Sequence, residues 1–97
     1  MTEKIVTRVA AALADPTRFR IFREIAARGE ICCGDLAKKF PVSQATVSHH
    51  LRVLSESGLV KVRREGQFSF FRALPGAVAS FQLALASFVP SAHRLRR

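Results

Sequence analysis

The segment from residue 42 to residue 54 constrains the fold most strongly, because it has the pattern of an amphipathic helix with a defined start. Ser43 is a suitable N-cap, since its hydroxyl can accept a hydrogen bond from a free backbone amide. Val47, Leu51 and Leu54 then recur at helical spacing, which predicts that one stripe of this helix is buried in a core. The opposite side is polar and carries no carboxylate before Glu56.

This polar side suits contact with the major groove of double-stranded DNA, where small and hydrogen-bonding side chains can reach base edges. We expect Arg52 to anchor the DNA backbone and the amino-terminal part of the helix to contact bases or nearby phosphates through Gln44, Thr46, Ser48 and His49. Adjacent histidines diverge by about 100° on a helix, so His50 is expected to flank the core. The alternative is an ordinary solvent-exposed helix face.

The chain just before this helix predicts a helix-turn-helix arrangement. Residues 35–40 have the pattern of a short helix, with Leu36 and Phe40 on one face at i, i+4 spacing. Pro41 ends it, and Val42 and Ser43 turn the backbone into the next helix. In this arrangement the second helix is the one that enters the groove.

After Gly58 the apolar residues change from helical spacing to the alternation that is typical of strands. Residues 59–64 and 67–72 are β-rich runs separated by Glu65 and Gly66, which predicts a hairpin whose glycine adopts a positive φ. Arg63 and Arg64 would lie near its tip and contact phosphates, although a solvated tip is the alternative. In the second run, Phe68 and Phe70 fall on one face and Phe71 falls on the other. At least one of these faces must therefore be covered by helices. We prefer this packing role to base stacking.

The remaining segments predict three more helices, giving five in all. Asp15 caps a helix that begins at Pro16 and ends at Gly29, with Phe19, Phe22 and Ala26 on one stripe, widened by Ile21 and Ile25. The terminal helices, about 2–13 and 75–89, carry apolar surface, and the last is apolar nearly all round. A small winged-helix protomer cannot cover both sides of its last helix, and this helix is too short to cross a bilayer. We therefore expect the terminal helices to form a homodimer interface. Burial within one subunit is the alternative.

Composition agrees with one nucleic-acid-binding domain over residues 1–97. Sixteen Lys and Arg against seven Asp and Glu give a net charge of +9, which is expected of a protein that binds a polyanion. Charge alone would also allow RNA or an anionic membrane. The first residues lack the layout of a secretory signal, and no uncharged run approaches the roughly 20 residues that span a bilayer, so we expect a cytoplasmic protein without a membrane partner. The predicted fold is mainly α with a small β-hairpin (α+β): a winged helix-turn-helix of five helices plus a two-stranded wing.

Several of these motifs occur in an order and spacing that resemble the ArsR/SmtB family of bacterial repressors. The resemblance covers most of the chain and rests on Asp15-Pro16-Thr17-Arg18, Asp35-Leu36-Ala37, residues 43–51, Gly58-Leu59-Val60 and the wing with Gly66. It implies a homodimeric winged-helix repressor that binds an operator in double-stranded DNA. It also implies release by a metal, a metalloid or another signal, and the sequence does not name that inducer.

Cys32 and Cys33 are the candidate thiol-sensing residues, because thiolates are soft metal ligands and can be oxidised. The resemblance implies a Cys-x-Cys motif followed by Asp in metalloid sensors, but Gly34 stands where the second cysteine would be. Two neighbouring sulfurs cannot complete a tetrahedral site, which leaves a ligand bridging two subunits, or help from His93. Residues 76–92 contain no His, Asp or Glu, which disfavours a zinc site on the last helix.

Buried structural thiols are the preferred alternative to sensing. A small thiol enzyme with Cys32 or Cys33 as nucleophile is a reading from another class, and the chain shows no oxyanion-hole motif for it. An RNA-binding protein is a third reading, disfavoured because no exposed aromatic ladder or glycine-lysine clamp is evident. We therefore predict a protein that is not an enzyme.

Overall fold

The computed structural model describes residues 1–89, which form five helices and a three-stranded antiparallel sheet. The predicted winged helix-turn-helix fold is confirmed, with one strand more than expected. In chain order the elements are α1 (Glu3–Ala14), α2 (Pro16–Arg28), β1 (Ile31–Cys32), α3 (Cys33–Ala37), α4 (Gln44–Glu56), β2 (Val60–Glu65), β3 (Phe68–Ala73) and α5 (Pro75–Ser87).

Local capping defines where the two central helices begin. The Asp15 carboxylate accepts a hydrogen bond from the backbone amide of Arg18 at 2.8 Å, and Pro16 occupies the first turn of α2. Ser43 accepts from the amide of Thr46 at 3.1 Å and so caps α4, as predicted. Gly29 ends α2 with a φ of 81°, a conformation that glycine adopts without steric cost.

The core lies where α1, α2, α3 and α4 meet the base of the sheet. The predicted stripe of α4 is confirmed, since Val47, Leu51 and Leu54 are all at most 2% exposed. On α2 the core face is formed by Ile21 and Ile25, whereas Phe19 is 43% exposed. The predicted stripe of Phe19, Phe22 and Ala26 was therefore wrong for Phe19 and Ala26, which are both exposed; the two isoleucines expected only to widen it form the buried face.

The wing is larger than the predicted hairpin, because β1 adds a third strand to it. The strand order is β1-β3-β2, with Ile31 opposite Phe71 and Cys32 opposite Phe70. Cross-strand pairs alternate between two faces, since successive side chains on a strand point to opposite sides. We call the side that includes buried Phe71 the front face (Val60, Val62, Arg64, Ser69 and Phe71) and the other side the reverse face (Lys61, Arg63, Glu65, Phe70 and Arg72).

Two other helices differ from the sequence prediction. The short helix α3 spans Cys33–Ala37 rather than residues 35–40. Residues 38 and 39 form a turn, and Phe40 is disfavoured in helical conformation because it precedes Pro41. Helix α5 ends at Ser87 and none of its residues is buried. In the described residues no helix combines the length and the hydropathy needed to cross a bilayer. His93, named above as a possible additional ligand, lies outside the described residues.

Candidate nucleic-acid interface

Helix α4 presents one polar face that no other described element covers. All the residues that the sequence predicts for DNA contact on this helix are exposed: Gln44, Thr46, Ser48, His49 and Arg52. The buried stripe behind them packs against α2, α3 and the wing strand β2. The core therefore fixes this helix while its polar face stays accessible to a ligand.

Ser43 is held in the cap of α4. In addition to accepting from the backbone of Thr46, its hydroxyl donates to the Thr46 Oγ1 at 3.0 Å. Both Ser43 and Thr46 are exposed, so they remain on the surface although their hydroxyls are paired with each other. This arrangement fixes the amino end of the helix, where close approach to a groove would occur.

His50 connects α4 to the corner between α1 and α2. Its ring is only 8% exposed, with Nδ1 at 3.2 Å from Nη1 of Arg18 and Nε2 at 3.9 Å from an Asp15 carboxylate oxygen. Burial lowers the pKa of His50, and the neutral ring can accept from Arg18 at Nδ1. Arg18 also donates to the carbonyl oxygens of Ala11 and Ala12. The sequence analysis placed His50 beside the core and missed Arg18.

Arg63 and Arg64 lie on opposite faces of the wing, although the sequence prediction grouped them at one tip. Arg64 is on the front face, where its Nη1 donates to the Ser69 hydroxyl at 2.8 Å. Arg63 is on the reverse face, where it pairs with Glu30 at 2.9 Å and with Glu65. The strand period of two was the signal that separates these neighbours.

On the reverse face, the positive charge of Arg63 is balanced by nearby carboxylates. Its guanidinium lies 4.6 Å from the centroid of the Phe70 ring, in addition to its two carboxylate partners. The hydrogen bonds from Arg63 lower the pKa of Glu30 and raise the pKa of Arg63 itself. We refer to Glu30, Arg63, Glu65 and Phe70 as the wing brace.

A cleft lies between α4 and the front face of the wing. Its polar and thiol lining comes from α3, α4 and both long strands, and its base is formed by apolar residues of the core edge. The lining groups that can form hydrogen bonds belong to Cys33, Ser48, Arg52, Ser55, Arg64 and Ser69. We call this space the α4–wing cleft.

The two cysteines line different pockets. Cys32 lies opposite Phe70 on the reverse face, in a pocket with Arg28, Lys38 and Lys39. Cys33 lines the α4–wing cleft, where its Sγ is 3.7 Å from the Ser48 hydroxyl. Both thiols are free and half-buried, and residues 1–89 contain no group of three His, Cys, Asp or Glu side chains that could hold a metal. The donors among residues 1–89 therefore do not by themselves fit a metal site.

Comparison with known proteins agrees with this geometry. Residues 13–63, from the end of α1 into the wing, match a family described as a helix-turn-helix domain. An ArsR-like transcriptional regulator from Rhodococcus sp. RHA1 superposes with a TM-score of 0.80 at 30% identity, over 88% of this chain and 79% of that one. The chain belongs to the ArsR family.

Two further ArsR-family comparisons show how far the likeness extends. A homodimeric winged helix-turn-helix DNA-binding domain from Mycobacterium bovis is 30% identical, with a TM-score of 0.72 over 87% of this chain and 78% of that one. A CadC homolog of Staphylococcus aureus, named as a cadmium resistance transcriptional regulatory protein, is 41% identical over 66 residues, or 68% of this chain. The chain spans about half (54%) of that curated relative's length.

Proposed function

We propose that this ArsR-family chain is a transcriptional repressor that binds an operator in double-stranded DNA as a homodimer. The observation that carries the proposal is the exposed polar face of α4, which bears no carboxylate before Glu56 and is backed by a well-buried stripe. An excess of nine positive charges in the chain favours a polyanionic partner.

The exposed groups have separate roles on the duplex. Ser43 caps α4 and fixes its amino end, so that Gln44, Thr46, Ser48 and His49 contact base edges or nearby phosphates. Arg52 and Arg64 contact the backbone. Arg63, which the sequence groups with Arg64, takes a different part here: it braces the wing from the reverse face through its two carboxylate partners.

The homodimer would form through the terminal helices of the single domain, residues 1–97. Helix α5 buries none of its residues within the protomer and exposes Leu83, Leu85 and Phe88. Helix α1 lies beside it and exposes Ile5, so the two helices offer a shared apolar surface. The homodimeric state of the Mycobacterium domain supports the same assembly. Two-fold symmetry would place two α4 helices about one helical turn of DNA apart.

The proposed repression cycle uses no metal site formed by residues 1–89 of one chain. Cys32 and Cys33 line different pockets, so a metalloid bound by a thiol would need a further donor from a second subunit or from His93. Any signal that releases the operator must favour a dimer conformation with lower affinity for DNA.

Selection of bound fragments from random duplexes tests the proposed function. We expect the full chain to enrich a palindromic site, and a duplex RNA of equal length to compete poorly. Ser48→Ala and His49→Ala should each relax sequence preference by about 1–3 kcal/mol at single base pairs, because they remove groups facing the bases. Failure to retain any duplex at low salt, or equal competition by RNA, would contradict the proposal.

A further inference from the structure

We infer that the α4–wing cleft seats one backbone phosphate of the bound duplex, held between Arg52 and Arg64. The inference rests on the proposed function and adds to it a specific site. It assigns the two arginines to one shared phosphate rather than to independent contacts along the DNA.

The chemistry of the cleft lining fits a phosphate. Two arginines line it from the two elements that form it, Arg52 from α4 and Arg64 from β2. The hydroxyls of Ser55 and Ser69 add donors, and no carboxylate is among the described residues that line the cleft. Guanidinium forks and hydroxyl donors are the groups that bind phosphate oxygens most directly.

The charges of Arg52 and Arg64 are also available to a phosphate. Within residues 1–89 neither Arg52 nor Arg64 forms an ion pair, so both keep their charge available for an anion. The hydrogen bond from Arg64 to Ser69 orients the Arg64 guanidinium on the front face. By contrast, two carboxylates engage Arg63 on the reverse face.

The geometry of a bound duplex places a phosphate in this position. When α4 enters the major groove, the wing lies over the neighbouring groove, and the sugar-phosphate strand that separates the two grooves must pass between them. The α4–wing cleft is the space between these two elements, and each of them contributes one arginine to its lining. A phosphate of that strand therefore meets both arginines at once.

The dependence of affinity on salt measures how many phosphates are neutralised. In a homodimer one shared phosphate per protomer contributes about two units to the slope of log K against log salt. We expect the double variant Arg52→Ala/Arg64→Ala to flatten the slope by about two units. The control is Lys61→Ala/Arg72→Ala, a cross-strand pair on the reverse face that removes the same charge and should leave the slope unchanged.

Each alternative result of this titration has a defined meaning. A flattening of about four units would place the two arginines on separate phosphates and overturn the shared seat. No flattening, or equal flattening in the control, would also overturn it. If the wild-type chain binds no duplex at low salt, the proposed function itself fails, which is a distinguishable outcome.

Cys33 provides a second measurement that does not alter either arginine. In a Cys32→Ser chain it is the sole thiol, and its Sγ lines the cleft. Iodoacetate adds a carboxylate there, whereas iodoacetamide adds a neutral group of nearly the same size. We expect the charged adduct to bind duplex DNA at least about tenfold more weakly than the neutral adduct, because a carboxylate repels the seated phosphate. Equal affinities of the two adducts would overturn the inference.

Discussion

At the scale of single residues, His50 shows how the buried side of α4 is fixed to the rest of the fold. It lies next to exposed His49 on α4, yet its ring is buried against Arg18 and Asp15, which belong to the start of α2. Arg18 in turn donates to carbonyl oxygens at the end of α1. His50 therefore links α4 to α1 and α2 through Arg18 and Asp15.

The protonation state of His50 makes stability depend on pH. Burial is the main cause of its lowered pKa, with Asp15 opposing and Arg18 and His49 adding to the shift. Because the folded pKa lies below the ordinary value of 6.5, the unfolded chain binds more protons between the two values. The contribution of His50 is therefore fully present above about pH 6.5 and is lost as pH falls through the folded pKa.

We expect the free energy of unfolding to decrease between about pH 7.5 and pH 5.5, and His50→Gln to reduce this dependence. Glutamine cannot be protonated but can still accept from Arg18. Urea denaturation followed by circular dichroism measures the effect, since the chain has no Trp or Tyr. His49→Gln is the matched control: it removes only the smallest contribution to the lowered pKa of His50 and should retain most of the pH dependence. Equal pH dependence in His50→Gln and the wild type would contradict this prediction.

The position of a single residue was predictable where the helical repeat alone decides whether its side chain faces the core or the solvent. The N-cap Ser43, the exposed His49 and the inward-facing His50 follow from helical geometry. The pairing of Arg63 with Glu30 did not, because Glu30 is distant in sequence and meets Arg63 only when β1 joins the sheet. A local pattern cannot reveal a partner that tertiary packing supplies.

At the scale of elements, the wing depends on the brace on its reverse face. Glu30 lies just before β1 and reaches Arg63 on β2, while β3 lies between these strands and contributes Phe70. These contacts tie all parts of the small sheet together on the side away from α4. The brace should therefore hold the front face at a fixed angle to the α4–wing cleft.

Removing one carboxylate from the brace tests this role. We expect Glu30→Gln to accelerate hydrogen exchange of the wing amides in β2 and β3, because an uncharged amide holds the guanidinium less strongly. Exchange in the core helices should stay unchanged. Glu56→Gln on α4, which removes the same charge from an exposed carboxylate outside the brace, is the control. Unchanged wing exchange in Glu30→Gln would contradict the brace.

The elements differ in how well the sequence predicts them. Helices α2 and α4 have capping residues and an apolar stripe, so their starts and their type were predictable. Strand β1 has only two residues, which is too short for an alternating pattern to show. Its formation depends on pairing with β3, so tertiary contact rather than local sequence decides it.

At the scale of the whole molecule, the protomer has an uncovered apolar side. Helix α5 packs Val78 and Phe81 against the edge of the core, but none of its residues is fully buried, so much of its apolar surface stays exposed. The near-continuous apolar composition of this helix predicted that surface. The sequence therefore predicts which face a second copy covers, whereas the way two copies pack depends on contacts between chains.

A charge on the exposed side of α5 tests the proposed dimer. Leu83 is 73% exposed in the protomer, so Leu83→Glu should fold normally but bury an unpaired carboxylate if two copies pack there. We expect this variant to sediment as a monomer and to lose affinity for a two-half-site duplex by about 10²-fold or more, because avidity is lost. Ala27→Glu on the exposed side of α2 adds the same charge and should remain dimeric. A dimeric Leu83→Glu chain with wild-type affinity would place the interface on another surface.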